Sequence, residues 1–269
     1  MVGYNVQASV DAKHHLIIDY QVTNTGLDNG QLAEMAKNAK EATGVDDLTV
    51  VADRGYFEGE QIRACDEAGI TTFVPKPLTS GSKAKGRFGK QDFVYLPDEN
   101  VYRCPAGEKL TWRFKRVEQG KMLHRYWTTA CAECALKEKC TTAPWRRISR
   151  WEHEAVLEAA QRRLDLDPDK MAVRRCTAEH PFGTLKSWMG ATHFLTRTIE
   201  RVSAEMSLHV LAYNIKRMIK ILGIGPLLEA IRAHGEALTA FLGAAMAFVS
   251  QMGRFPTLIV VTAPKTAPG

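Results

Sequence analysis

Polar and apolar residues alternate from the start of the chain. Tyr4, Val6, Ala8 and Val10 point one way and Asn5, Gln7, Ser9 and Asp11 the other, the pattern of a half-buried strand. Residues 11–15 read as a turn, and residues 16–23 as a second strand, antiparallel to the first. Leu32, Met35, Ala36 and Ala39 fall at helical spacing, which predicts a helix over residues 28–43, ended by Gly44. Residues 48–52 are a β-branched run with the character of a buried strand. A helix over 58–68, closed by Gly69, and a strand over 70–74, stopped by Pro75, complete a strand–helix–strand unit. Such a unit is expected to be a right-handed parallel crossover. Asp53 sits at its switch from strand to helix, where open α/β sheets place their chemistry.

The pattern changes after Pro75. Residues 76–100 are rich in Gly, Lys, Ser and Pro and read as a flexible basic loop. Residues 101–150 hold short aromatic runs and four cysteines, and look like an insertion. Periodicity returns as helices over 151–163 and 200–222, the second with Val202, Met206, Val210, Leu211, Ile215, Met218 and Leu222 on or near one face. This divides the chain into a core half (1–75), an insertion (76–150), a helical core half (151–223) and an extension (224–269). Within the extension, residues 237–253 are uncharged but too short for a comfortable membrane span, and suggest a buried or self-associating helix. Residues 255–269, with Pro256, Pro264 and Pro268, read as a frayed tail. The first residues lack the basic start and apolar core of a signal peptide, so the cytoplasm is the expected compartment. A chain that opens directly on a strand reads as N-terminally truncated.

Charge narrows the class of partner. The 269 residues carry a net charge of +6, a mild signal by itself. Residues 103–150 hold 12 Lys and Arg against 4 Asp and Glu, and residues 75–91 hold five Lys and Arg with no acid. The first segment interleaves cations with aromatics: Trp112, Arg113, Phe114, Lys115 and Arg116, then Tyr126 and Trp127, then Trp145, Arg146 and Arg147. Cations for phosphates and rings for stacking suit a nucleic-acid surface; a solvated charged face over a small core is the alternative. Cys131 and Cys134 have the spacing that closes two positions of a tetrahedral zinc site, with Cys104 and Cys140 (or His124) to complete it. Ordinary reduced thiols are the alternative, and Cys65 and Cys176 read as buried thiols.

Glu179 is the second acid of interest. On one helix, Arg175, Glu179 and Lys186 would share a face: an acid for a metal beside cations for phosphates, or simply an exposed i,i+4 ion pair. Pro181 complicates this, because it disfavours helical geometry at His180 and places Glu179 just ahead of a helix.

Five separated motifs, at residues 2–11, 51–57, 104–107, 174–186 and 213–217, occur in an order that resembles the DDE transposases of bacterial insertion sequences, in the branch with a cysteine-bearing insertion. The resemblance implies an α/β, RNase H-like mixed sheet flanked by helices, with the basic insertion between the second and third catalytic acids. It implies Mg²⁺ or Mn²⁺ as cofactor, double-stranded transposon-end and target DNA as substrate, and a homodimer on DNA. Asp53 resembles the second acid of the triad and Glu179 the third. Arg175 and Lys186 resemble the family's DNA contacts around the glutamate, and Arg54, Lys115, Arg116, Arg146 and Arg147 join them as expected DNA contacts. Ala172 stands where a tyrosine is often found. The first acid of the family lies upstream of residues 2–11, and Asp11 is a poor substitute for it. The chain is therefore expected to be a weak or inactive enzyme, with a DNA-binding remnant as the rival reading.

Overall fold

The computed structural model describes residues 3–77, 81–233 and, as backbone, 257–262. The chain forms two compact units, Pro77–Ala155 and the sequence on either side of it.

The larger unit is built on a mixed sheet. Its N-terminal part supplies strands β1 (Asn5–Asp11) and β2 (Ile17–Thr23), helix α1 (Leu32–Thr43), strand β3 (Leu48–Val51), helix α2 (Gly59–Glu67) and strand β4 (Ile70–Phe73). β1 and β2 pair antiparallel; β3 and β4 pair parallel, as the crossover pattern predicts. α1 begins later than its periodicity suggests and stops at Gly44, whose φ of 63° suits a residue without Cβ.

β1 departs from the half-buried reading. All seven of its residues are buried. Val6, Ala8 and Val10 join the core that holds Phe182, Leu185, Val202, Met206 and Tyr213. On the other face Asn5, Gln7, Ser9 and Asp11 are buried too. Alternation identified the two faces but not that both would be covered, because it registers polarity and not depth.

The tail is the largest correction. Residues expected to fray form strand β10 (Thr257–Thr262) at the centre of the sheet, whose order is β2-β1-β10-β3-β4. β10 runs antiparallel to β1 and parallel to β3. Flanking prolines signalled a loop; Thr-Leu-Ile-Val-Val-Thr between them is a buried-strand sequence. The uncharged run at 237–253 lies outside the described residues. Among those described, no helix is long and apolar enough to cross a membrane.

The smaller unit holds an antiparallel sheet in sequence order: β5 (Val94–Leu96), β6 (Val101–Arg103), β7 (Lys109–Glu118), β8 (Lys121–Trp127) and β9 (Ile148–Trp151). The basic loop expected over 76–100 thus ends in a strand. Trp151, expected to start a helix, ends β9. The core of this unit packs three aromatics, Phe93, Tyr102 and Tyr126, with Leu110 and Ile148.

The chain then forms α3 (Glu154–Leu166), α4 (Lys170–Gly183), α5 (Ile199–Leu222) and α6 (Ile224–Ala233). α4 runs through Pro181 and continues as a π-helical turn over Thr184–Trp188. Buried Pro181 and Phe182 hold that stretch against the core, and packing overrides the helix-breaking tendency of proline. α5 is fixed by its polar residues. Asn214 accepts from the Ile17 N–H at 3.0 Å and donates to the Ile17 carbonyl at 2.8 Å. Tyr213 donates to the His15 carbonyl at 2.6 Å, and Arg217 to that of His14 at 3.0 Å.

Candidate active site

Asp53 follows β3 and caps a single 3₁₀ turn, Arg54–Tyr56. Its Oδ1 accepts from the Gly55 N–H at 2.8 Å. Its Oδ2 is paired with Arg174 of α4 at 2.9 Å. The carboxylate is about one-third exposed and the guanidinium 17% exposed, so the pair is open to solvent on the acid's side. The cation beside Asp53 in this arrangement is therefore Arg174, one residue before the arginine singled out from sequence.

Asp28 shares this place, and sequence reasoning passed it over. A Cβ built on Gly55 would stand 3.0 Å from Asp53 Oδ1 and 3.5 Å from Asp28 Oδ2. Asp28 Oδ1 accepts from Asn5 Nδ2 at 2.6 Å and from Gln7 Nε2 at 3.4 Å. The strand ladders explain the grouping. Ile259 of β10 faces Val10 on one side and Val51 on the other. Asp53 lies two residues beyond Val51, a step that on β10 reaches Val261, whose partner on β1 is Ala8, next to Gln7. Asp11 lies at the other end, fully buried, with Oδ2 accepting from the His14 backbone N–H and lying 3.0 Å from His14 Nδ1. It is a turn-closing residue, remote from Asp53 along the sheet.

Glu179 is exposed and does not meet Asp53 in any contact of the structure. Arg174, Thr177 and Pro181 follow the inner face of α4, and Glu179 falls on the outer one. There it lines a groove of about 640 Å³ with Cys176, His180, Trp188, Lys216, Arg217 and Lys220. Cys176 is exposed in this groove, contrary to the buried thiol expected; only Cys65 is buried. Burial pushes the Cys65 thiol up to about 12. Lys186 does not share the groove. The π-turn shifts the helical phase, and Lys186 lines a separate cavity with Tyr4, Phe182 and Phe194. Arg175 and Arg54 are exposed. Trp188 is 81% exposed, with Lys216 Nζ 5.5 Å from its ring centre.

In the smaller unit, β7 turns Trp112, Phe114, Lys115, Arg116 and Val117 to solvent. Arg113 lies over Trp127 at 5.5 Å, and Arg147 over Trp127 and Trp145 at 5.6 and 5.8 Å. Arg146 turns inward instead and packs 5.5 Å above Phe93. Cys104, Cys131, Cys134 and Cys140 line one cavity. Burial raises the Cys140 thiol; Arg146 opposes this, and the other three thiols reinforce it. The sulfurs do not stand at ligand spacing: among the described residues no group of three or more His, Cys, Asp or Glu does.

The family model described as transposase DDE domain matches residues 2–215. Comparison with curated proteins and with solved structures returns no match.

Proposed function

Since the chain belongs to the transposase DDE-domain family, whose work is transposition, we propose that it binds insertion-sequence ends and that Asp53 and Glu179 are two acids of a metal-dependent strand-transfer site. The observation that carries this reading is Asp53 itself: a carboxylate about one-third exposed at the end of a parallel strand, with Arg174 as its one ion-pair partner among the described residues. A mixed sheet with this placement is what an RNase H-like core requires. Glu179 lies on the outer face of α4 here, so it would have to turn toward Asp53 before the two could share a divalent ion, which would supply charge for the attacking and leaving oxygens of a phosphodiester. Around it, Arg174 and Arg175 present cations, and Lys216 and Lys220 extend them along the Glu179 groove. The β7 face offers further phosphate and base contacts through Lys115, Arg116 and Arg147. Four thiols around one cavity suit a structural zinc ion, which soft ligands select.

Catalysis by this chain is expected to be weak. The strand beside β3, Thr257–Thr262, carries no acid in its sequence. That observation favours the second reading, a DNA-binding protein of this family without strong catalysis. The test is end-labelled DNA carrying the element's terminal repeats, incubated with purified protein and Mg²⁺ or Mn²⁺. Binding with slow cleavage that Asp53→Asn and Glu179→Gln abolish supports the first reading. Binding with no cleavage supports the second, and robust strand transfer refutes the expectation of weakness. Failure to bind DNA at all sinks both.

A further inference from the structure

We propose that α4 is a sliding switch: straightening of the π-turn Thr184–Trp188 moves the helix by one residue, turns Glu179 from the outer groove to the face toward Asp53, and exchanges Arg174 for Arg175 beside that acid. This rests on Asp53 and Glu179 being metal-binding acids and supplies the motion that joins them. The first observation is the phase of α4. Arg174 holds Asp53 Oδ2 at 2.9 Å, while Glu179 is exposed on the outer face. Met171, Ala178 and Phe182 pack into the core that holds Val51, and Arg174 lies on the same stripe of the helix. Glu179 therefore misses the inner face by one residue, or about 100° of helix rotation.

The second observation is the π-turn, which is independent of the acids. A π-turn carries one residue more than an α-helical turn, and so stores the residue that a slide needs. If Thr184–Trp188 became α-helical while Trp188 kept its place, each residue of α4 would advance by about 1.5 Å toward the start of the helix and take the place of the residue before it. Glu179 would stand where half-buried Ala178 stands, one turn from the residue beside Asp53. Arg175 would stand where Arg174 stands, so the tandem arginines keep that place filled in both registers. No side-chain cap at Asp169 holds the start of α4 against the shift. Other contacts hold the present register. His180 stacks on His15, and its Nδ1 meets the Tyr213 hydroxyl at 2.9 Å. The slide would carry His180 to the exposed place of Glu179 and break both contacts. It would also set Phe182 in the place of buried Pro181, a repacking that keeps the metal-free protein at rest. A cation at Asp53 that draws in the Glu179 carboxylate supplies the opposing pull, because it binds the shifted register better.

Deleting Ser187, an exposed residue of the π-turn, tests this, because it removes the stored residue and leaves α4 where it stands. Mn²⁺ binding to the full chain is read from the loss of the free-ion spin-resonance signal. In the wild type, Glu179→Gln should weaken Mn²⁺ binding at least tenfold. The deletion should weaken it to the same degree, and adding Glu179→Gln to the deletion should change nothing further. A second readout needs no deletion. In protein labelled with 5-fluorotryptophan, Mg²⁺ should shift the fluorine resonance of Trp188, assigned by its loss in Trp188→Phe. The shift is expected in the wild type and not in Glu179→Gln. Helical circular dichroism checks that each variant is folded; should the deletion fail to fold, the fluorine comparison decides alone. A Glu179→Gln effect as large in the deletion as in the wild type would overturn the slide and leave Glu179 standing as a metal ligand. So would a Trp188 resonance that Mg²⁺ leaves unmoved in the wild type, or moves equally in Glu179→Gln. No effect of Glu179→Gln on Mn²⁺ binding in the wild type would overturn the slide together with the reading of Glu179 on which it rests.

Discussion

At the scale of single residues, the histidine pair beneath the Glu179 groove makes stability depend on pH. His15 and His180 stack with ring centres 4.8 Å apart, and His180 Nδ1 meets the Tyr213 hydroxyl at 2.9 Å. Burial is the largest cause lowering both imidazole pKa values, and Arg217 lowers them further. Asp11 opposes the shift at His15, while His15 and Lys220 add to it at His180. Below about pH 6.5 the unfolded chain therefore binds more protons than the folded one. Stability is fully present above that value and declines as the pH falls toward the lowered folded values. Melting temperature should drop between pH 7.5 and 5.5, and His180→Asn should flatten the profile; a pH-independent wild type would refute the account. The same neighbourhood shows what a sequence discloses. Tyr213, Asn214 and Arg217 stood in a recognisable motif, but that they clasp the turn at His14–Ile17 depends on contacts almost 200 positions apart. Asp28 was invisible for the same reason, since only folding brings a loop acid to Gly55.

At the scale of elements, α1 to β4 were legible because their apolar residues repeat at helical or strand spacing and their ends carry Gly or Pro. β10 was not, because a short apolar strand between prolines has no period long enough to outweigh its flanks. Yet it holds the sheet together, since it alone bonds β1 to β3. A proline at Ile259 removes a ladder N–H in a strand paired on both sides. Ile259→Pro should lower the melting temperature by several degrees; an unchanged melting curve would mean that β10 is dispensable. The π-turn after α4 makes a second point about elements. It carries Lys186 away from Glu179 and presents Trp188 beside Lys216. An exposed indole next to a cation can stack an unpaired base, worth about 1–3 kcal/mol. Trp188→Ala should weaken binding to DNA with a single-stranded overhang about tenfold, with little effect on blunt duplex. Equal losses on both would remove Trp188 from the stacking role.

At the scale of the whole molecule, the two units have separate cores, and the chain carries separate reporters for them. Four of its five tryptophans, Trp112, Trp127, Trp145 and Trp151, lie in Pro77–Ala155, while the described helices from α4 onward lie in the other unit. Tryptophan fluorescence thus follows the small unit, and helical circular dichroism follows the large one. If the four thiols bind zinc, the small unit gains most from it, because its main buried cluster is small and small cores need such support. Protein purified without chelator should contain one equivalent of zinc. Removing it with a strong chelator, or replacing Cys131 and Cys134 by serine, should lower the fluorescence midpoint by several degrees and leave the helical midpoint unmoved. Two non-coincident transitions are also expected in the untreated protein, since two-state behaviour belongs to single cores. Coincident transitions would mean that the units unfold as one, and a fluorescence midpoint indifferent to chelation would mean that the cysteines are ordinary thiols in a small apolar cavity.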